Sequence, residues 1–225
     1  MTGAPSEEAQ RGIEALLELL RADPSPPVAR STLAKAEDVH VADSLSGLEF
    51  AELRSADRIA DLGSGAGFPG LVLALALVPI RCDLIESSSR KCAFLRRAIE
   101  RSGAVNAAVV CERAESWATG EGREAYDAVT VRAVGRLAAL AELASPLLRE
   151  GGALVAWKGN RDRDEEEEME RASPRLAMEP AEIRSVTPYH GSHARHIHLL
   201  RKNGPTPEGL PRRVGLAAKR PFGSE

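Results

Sequence analysis

The sequence predicts a doubly wound α/β fold with a mostly parallel sheet, and three observations predict it. Short apolar runs of strand length alternate with amphipathic helical stretches from residue 58 to residue 158. The first strand feeds a glycine loop that opens a helix, in Arg58-Ile-Ala-Asp61-Leu-Gly63-Ser-Gly65-Ala-Gly67-Phe68-Pro69-Gly70. The second strand, Arg81-Cys-Asp83-Leu-Ile-Glu86, ends in an acid about 20 residues beyond the glycines, the spacing at which such folds hold ribose hydroxyls.

Taken in order, Glu7 to Leu20 has helical spacing, with Ile13, Leu16, Leu17 and Leu20 on one face. Asp23-Pro-Ser-Pro-Pro27 breaks it. A second helical stretch is expected from about Leu33 to Leu53. Ile59–Leu62 reads as a strand. Pro69 suits a first helical position, and the helix Pro69–Val78 is stopped by Pro79. A strand at Cys82–Ile85, a helix at Arg90–Arg101 and a strand at Ala107–Cys111 follow. A fourth strand, Ala128–Val131, leads to a helix at Leu137–Leu148 whose C-cap would be Gly151-Gly152. A fifth strand, Ala153–Trp157, closes on Lys158-Gly159. The acids from Asp162 to Glu170 read as a solvated helix N-terminus, because acids favour that end. His196-Ile-His-Leu-Leu200 reads as a late strand, and no metal site is expected from its two histidines.

Composition narrows the function. A net charge of −3 argues against a uniformly basic nucleic-acid binder. The longest apolar run, Leu71 to Ile80, is too short to span a bilayer. Cys82, Cys92 and Cys111 have neither metal nor CxxC spacing and are expected to be buried thiols of a reducing, cytoplasmic compartment.

A strand, a glycine loop and a helix N-terminus make a nucleotide-type cradle. Gly65-x-Gly67-x-x-Gly70 matches the dinucleotide pattern literally, but it begins several residues past the strand end. Asp61 aims a carboxylate at the loop, which would repel a pyrophosphate and suits the ammonium group of S-adenosylmethionine. The methionine cofactor is therefore favoured, with Asp61, Gly63, Gly65, Gly67 and Glu86 as contacts. His40, Asp43 and Ser44 stand together just before the cradle. They share a helix face without an oxyanion loop, so the segment is either a polar face or a cap over the cofactor pocket, not a triad. From His190 onward seven basic residues face two acids. That asymmetry suggests contact with a polyanion through Arg195, Arg212, Arg213, Lys219 and Arg220.

Together these residues resemble the RsmG (GidB) family, whose members methylate N7 of a guanine in bacterial 16S ribosomal RNA. The resemblance rests on Asp61 to Gly70 with His40-x-x-Asp43-Ser44-Leu45 before it, and on Glu86 with Arg90-Lys91-x-x-Phe94-Leu95. It extends through Arg113-Ala114-Glu115, Tyr126-Asp127, Val131-Arg132-Ala133, Trp157-Lys158-Gly159, Arg195-His196, and Leu210-Pro-Arg-Arg213-x-Gly215 with Lys219-Arg-Pro221. It implies a seven-stranded, Rossmann-like class I methyltransferase fold in which Gly63, Phe68, Ala114, Glu115 and Arg132 contact S-adenosylmethionine, with Glu86 at the ribose. The implied substrate is the small ribosomal subunit, at a guanine of the 530 loop (position 527 in the usual rRNA numbering). The implied organisation is a helical cap over residues 1–55, a cofactor-binding domain over 56–203 and a basic tail over 204–225, acting as a monomer without a membrane. One departure stands out. The family has a longer N-terminal part with a Trp-Asn-Lys stretch before an Asn-Leu-Thr, and here only Ser31-Thr-Leu-Ala34 remains.

The absences agree with N7 chemistry. An Asn/Asp-Pro-Pro-aromatic stretch after the fourth strand would serve an exocyclic amine, and this chain has Thr130-Val-Arg132-Ala-Val134 there. Guanine N7 carries a free lone pair and no proton, so positioning supplies most of the rate. Arg132, Lys158, His40 and Asp43 are the positioning candidates. Arg132 and Lys158, at the carboxyl ends of strands four and five, would contact phosphate or the cofactor carboxylate. A methyltransferase of another RNA or of a small molecule would share the cradle, a nicotinamide dehydrogenase would share the fold, and a non-enzymatic ribosome-assembly factor would need no intact cradle.

Overall fold

In the computed structural model, which describes residues 5–132 and 135–224, a seven-stranded sheet has the order β3-β2-β1-β4-β5-β7-β6. Helix α1 (Glu7–Ala22) starts on Ser6, whose hydroxyl accepts from the Ala9 amide at 3.2 Å. Then come two short helices, α2 (Asp43–Leu45) and α3 (Ala51–Arg54), strand β1 (Arg58–Leu62), α4 (Gly70–Ala76), β2 (Arg81–Ile85), α5 (Ser89–Ser102), β3 (Ala107–Val110) and α6 (Ala114–Trp117). The chain continues through β4 (Tyr126–Arg132), α7 (Leu137–Ala144), β5 (Leu148–Lys158), α8 (Arg163–Leu176), β6 (Met178–Val186), β7 (Arg195–Lys202) and α9 (Leu216–Lys219). Strands β1 to β5 pair in parallel, and β7 enters antiparallel between β5 and β6. The doubly wound expectation holds. The Ala133-Val134 end of the fourth-strand motif lies outside the described residues.

Each face of the sheet buries its own apolar cluster. On one, Ile13, Leu16, Leu17 and Leu20 of α1 pack with Leu71 and Leu75 of α4 and Phe94 and Leu95 of α5. On the other, Leu137, Leu140 and Ala141 of α7 pack with Met169, Ala172 and Leu176 of α8, and the tail adds Leu210. The N-terminal helix is thus part of a helical layer, and buried apolar area of this size dominates the folding free energy.

Four expectations are corrected. The stretch from Leu33 to Leu53 is not one helix: a 3-10 turn at Arg30–Lys35 and a π-helical turn at Glu37–Ala42 precede α2, and Phe50 is extended at ψ 126°. The cause is tertiary, since Trp157 Nε1 donates to the Asp43 carbonyl at 2.8 Å and its ring lies where a side chain at Gly47 would stand. Helix α7 ends at Ala144, before Pro146, and Gly151-Gly152 lies inside β5 rather than at a helix cap. A Cβ at Gly152 would meet the Asp127 and Arg149 carbonyls at 2.9 Å, and Gly151 has φ +78°, so this kink in β5 needs glycine. The acid run is not wholly solvated, because Glu165 and Glu168 of α8 are buried against basic partners. Finally, Cys92 and Cys111 form a disulfide with 5.9 Å between their Cα atoms, and only Cys82 remains a buried thiol. The first turn of α5 and the end of β3 bring them together, which no local spacing announces.

Candidate active site

The cradle is built by positive-φ glycines where β1 meets α4. Gly63, Gly65 and Gly67 have φ of 68°, 58° and 96°, conformations that side chains resist. The Gly63 amide donates to the Ile85 carbonyl at 2.8 Å, which ties the loop to the end of β2. There Glu86, 6% exposed, accepts from the Gly65 amide at 3.1 Å and from the Ser88 amide at 2.9 Å. Glu86 therefore ties the residue before α5 and the glycine loop to the same carboxylate, and Lys91 stands 3.8 Å away.

Asp61 is fully buried at the end of β1. Its Oδ1 accepts from Thr130 Oγ1 at 2.8 Å, while Oδ2 has no hydrogen-bond partner. Burial pushes its pKa up to about 6, against the Ser64 and Thr130 hydroxyls and the nearby Gly70 amide, which favour the charged form. A Cβ at Gly70 would stand 2.4 Å from the Asp61 Cβ, which is why this residue is glycine. An unpartnered buried carboxylate oxygen in a glycine cradle fits an incoming ammonium group and repels a phosphate.

Arg132, at the end of β4, ties the cradle to the N-terminal segment. Its Nη1 donates to Asp43 Oδ2 at 3.1 Å and to the Val39 carbonyl at 3.2 Å. Its Nη2 donates to His40 Nδ1 at 3.1 Å. Arginine can only donate, so His40 carries its proton on Nε2 and donates to Thr32 Oγ1, 2.9 Å away; that hydroxyl passes to the Ala29 carbonyl at 2.8 Å. Burial, with the Arg132 and Arg195 charges adding to it, pushes His40 down to about 4, so it is neutral at physiological pH. The His40 ring stacks on Phe68 of the glycine loop with centroids 4.9 Å apart, and the Arg132 guanidinium lies 5.4 Å from the Phe68 ring centroid. His40 and Asp43 are thus brought against Arg132 and Phe68. Ser44 is spent on the His40 carbonyl. Asp43 is buried with Oδ1 unpartnered.

Other expected residues are placed differently. Lys158 is not free to meet a ligand: its ammonium donates to Glu165 Oε1 at 2.6 Å and to the Gly135 carbonyl at 2.9 Å, and the same Glu165 oxygen receives the Leu137 amide. Arg195 opens β7, whose antiparallel register sets His196 beside Lys158 and so brings Arg195 to the ligand edge of the sheet. It is half-buried and has no carboxylate partner among the described residues; its one side-chain hydrogen bond is to Tyr189 Oη at 3.4 Å. Arg212 is not a free cation, because it forms a two-pronged pair with buried Glu142 of α7. Arg213, Lys219 and Arg220 are exposed.

A cavity of about 190 Å³ opens beside the cradle, lined by Gly63, Glu86, Ala114 and Glu115 with an apolar floor from Leu62, Ile85, Val131 and Leu140. Its volume, with Gly63 and Glu86 in the lining, suits a nucleoside. Sequence reading missed two parts of the site. Thr130, which orients Asp61, was visible only as one more strand residue, and Gly215, Ala217 and Ala218 of the tail complete the wall.

The family model described as rRNA small subunit methyltransferase G (GidB) matches residues 28–197. This chain belongs to that family. Among curated relatives, the "Ribosomal RNA small subunit methyltransferase G" of Thermotoga neapolitana is 38% identical over 222 residues, covering 98% of this chain and 95% of its own. That of Rubrobacter xylanophilus is 42% identical over 187 residues, covering 81% and 72%. Among solved structures, a SAM-dependent O-methyltransferase from Thermotoga maritima aligns with TM-score 0.59 at 15% identity, over 86% of this chain and 73% of that one. M. jannaschii TYW2 in complex with AdoMet aligns with TM-score 0.52 at 11% identity, over 71% and 74%. At such identities these neighbours show the fold alone. The chain is a methyltransferase of the rRNA-modifying kind, and the cofactor expected from the cradle, S-adenosylmethionine, is that of the family.

Proposed function

We propose that this chain transfers a methyl group from S-adenosylmethionine to N7 of a guanine in the 530 loop of 16S ribosomal RNA, as a cytoplasmic monomer acting on the small subunit. One observation carries the reading: beside a ready cradle and two arginines, His40 is neutral with both ring nitrogens already hydrogen-bonded, so it is not free to act as a base. In this reading Asp61 and Glu86 hold the cofactor, which supplies an electrophilic methyl on a sulfonium. The N7 lone pair forms the new N–C bond while the electrons of the breaking S–C bond stay on sulfur, so no proton moves. The protein's work is then to orient and to exclude water. Arg132, fixed by Asp43 and His40, holds the N-terminal segment against Phe68. Arg195, without an acidic partner among the described residues, supplies positive charge where RNA would enter. Guanine offers O6 beside N7, and arginine reads that edge.

Single-turnover rates on small subunits at saturating cofactor test it. From about pH 6.5 to 9 the rate should be flat, because His40 stays neutral and nothing titrates at the reacting nitrogen. His40→Ala should slow the reaction through misplacement without creating an inflection. A wild-type inflection near pH 7 that vanishes in one histidine variant would move the target to an exocyclic amine or a hydroxyl.

A further inference from the structure

The tail after β7 is laid against the methyltransferase core by a chain of specific contacts, and all of it lies beyond the residues that the family model matches. At its start, Thr206 bonds Glu124, while buried Lys202 donates to Glu124 at 3.0 Å and to Thr206 Oγ1 at 2.7 Å. Further on, Arg212 Nε donates to Glu142 Oε1 at 2.6 Å and Nη2 to the Arg220 carbonyl at 2.7 Å; Glu142 is 3% exposed. The Phe222 ring lies between two guanidinium groups, with Arg212 at 3.9 Å and Arg175 at 4.0 Å from its centroid. Between these anchors the chain helps to wall the nucleoside-sized cavity, where Gly215, Ala217 and Ala218 share the lining with Glu86 and Ala114. The Gly215 amide donates to Glu115 Oε1 at 2.7 Å, so an acid of the cofactor pocket is itself the latch.

We infer that residues 210–222 are a built part of the cofactor site: a clasp, locked by the Arg212–Glu142 pair and the Glu115–Gly215 bond, that walls the cavity and is stabilised by the cofactor it encloses. The three wall residues are small, which leaves the cavity open. The outward face keeps Arg213, Lys219 and Arg220 exposed for a polyanion. Clasp closure and cofactor binding then favour each other by linkage: whatever packs against the closed wall raises the cost of opening it. Arg212 acts here as a positioning residue.

The inference rests on S-adenosylmethionine being the cofactor, and the test separates the two. Calorimetry with S-adenosylmethionine and with S-adenosylhomocysteine is run on the full chain and on Arg212→Ala. Limited trypsin digestion of the unaltered chain, with and without each ligand, follows cleavage after Arg213 and Lys219. With ligand at ten times Kd, cleavage at both sites should slow by about tenfold, because opening and binding compete. Arg212→Ala should bind about tenfold more weakly, the drop that follows when unlatching leaves the clasp closed about a tenth of the time. If the full chain binds neither ligand, the cofactor assignment itself fails. If it binds but its trypsin sites cleave equally fast with and without ligand, the clasp is overturned. An Arg212→Ala protein with lower Tm and unchanged Kd would likewise overturn it, leaving the pair as plain packing.

Discussion

Asp61 should make cofactor binding depend on pH in a way no surface acid can imitate. In the free protein its carboxyl is fully buried, one oxygen lacks a partner, and its pKa is pushed up to about 6. An ammonium group at that oxygen favours the charged form and should return the pKa to the ordinary carboxylate range or below. At pH 8 the free site is already ionised and binding releases no proton. At pH 5 the site is mostly protonated, and the affinity should fall by 1 + 10^(6−5), about tenfold or ~1.4 kcal/mol. The sign for stability is opposite. The folded pKa lies above the unfolded value of 3.8, so Asp61 favours the free fold below about pH 4, and that contribution is lost as pH rises through 6. A shift of about two units corresponds to ~3 kcal/mol at most. Asp61→Asn removes both effects. Calorimetry in two buffers of different ionisation enthalpy, from pH 5 to 8, should show proton release near pH 5 for the unaltered chain and none for Asp61→Asn. The variant should bind far more weakly at pH 8, and its Tm relative to the unaltered chain should rise between pH 4 and 7. Equal pH dependence in both proteins, or full affinity in Asp61→Asn, would refute the placing of the ammonium group at Asp61.

Other outcomes follow from the same geometry. Gly70→Ala puts a methyl group 2.4 Å from the Asp61 Cβ and should cost about 1–3 kcal/mol by thermal melt while abolishing cofactor heat in calorimetry. Thr130→Val removes the hydroxyl that Asp61 Oδ1 accepts, and should move the midpoint of the pH-dependent binding above 6. Replacing Arg213, Lys219 and Arg220 together by alanine should flatten the salt dependence of RNA binding by about one unit of slope per lost phosphate contact, read from filter-binding titrations.

Much of this was legible in the residues because the chemistry is local. Asp61, the glycines and Pro69 stand within one strand, one turn and one helix start, and β1 to β5 advertise themselves as short apolar runs. Glu86 was legible as the acid that closes β2 just before a serine cluster, and it holds the Gly65 and Ser88 amides there. Edge strand β6 was not legible, because Glu179, Pro180, Glu182 and Arg184 give it no alternation. The broken helix before β1 depends on Trp157, more than a hundred residues downstream, which claims a carbonyl of the segment. The tail misled for a related reason. Arg212 reads as a phosphate ligand until its partner Glu142, 70 residues away, is seen, and Lys158 likewise until Glu165 is. Composition reports charge, but only the fold reports which charges are already paired.

The identity of the methylated atom can be read directly. Small subunits lacking the modification should be incubated with the protein and tritiated S-adenosylmethionine, and the 16S RNA then treated with borohydride and aniline, which cut the chain at N7-methylated guanine. With N7 as the target, label appears in guanine alone and one new cut appears in the 530 loop. Label without a cut, a cut elsewhere, or label in any other base would contradict it.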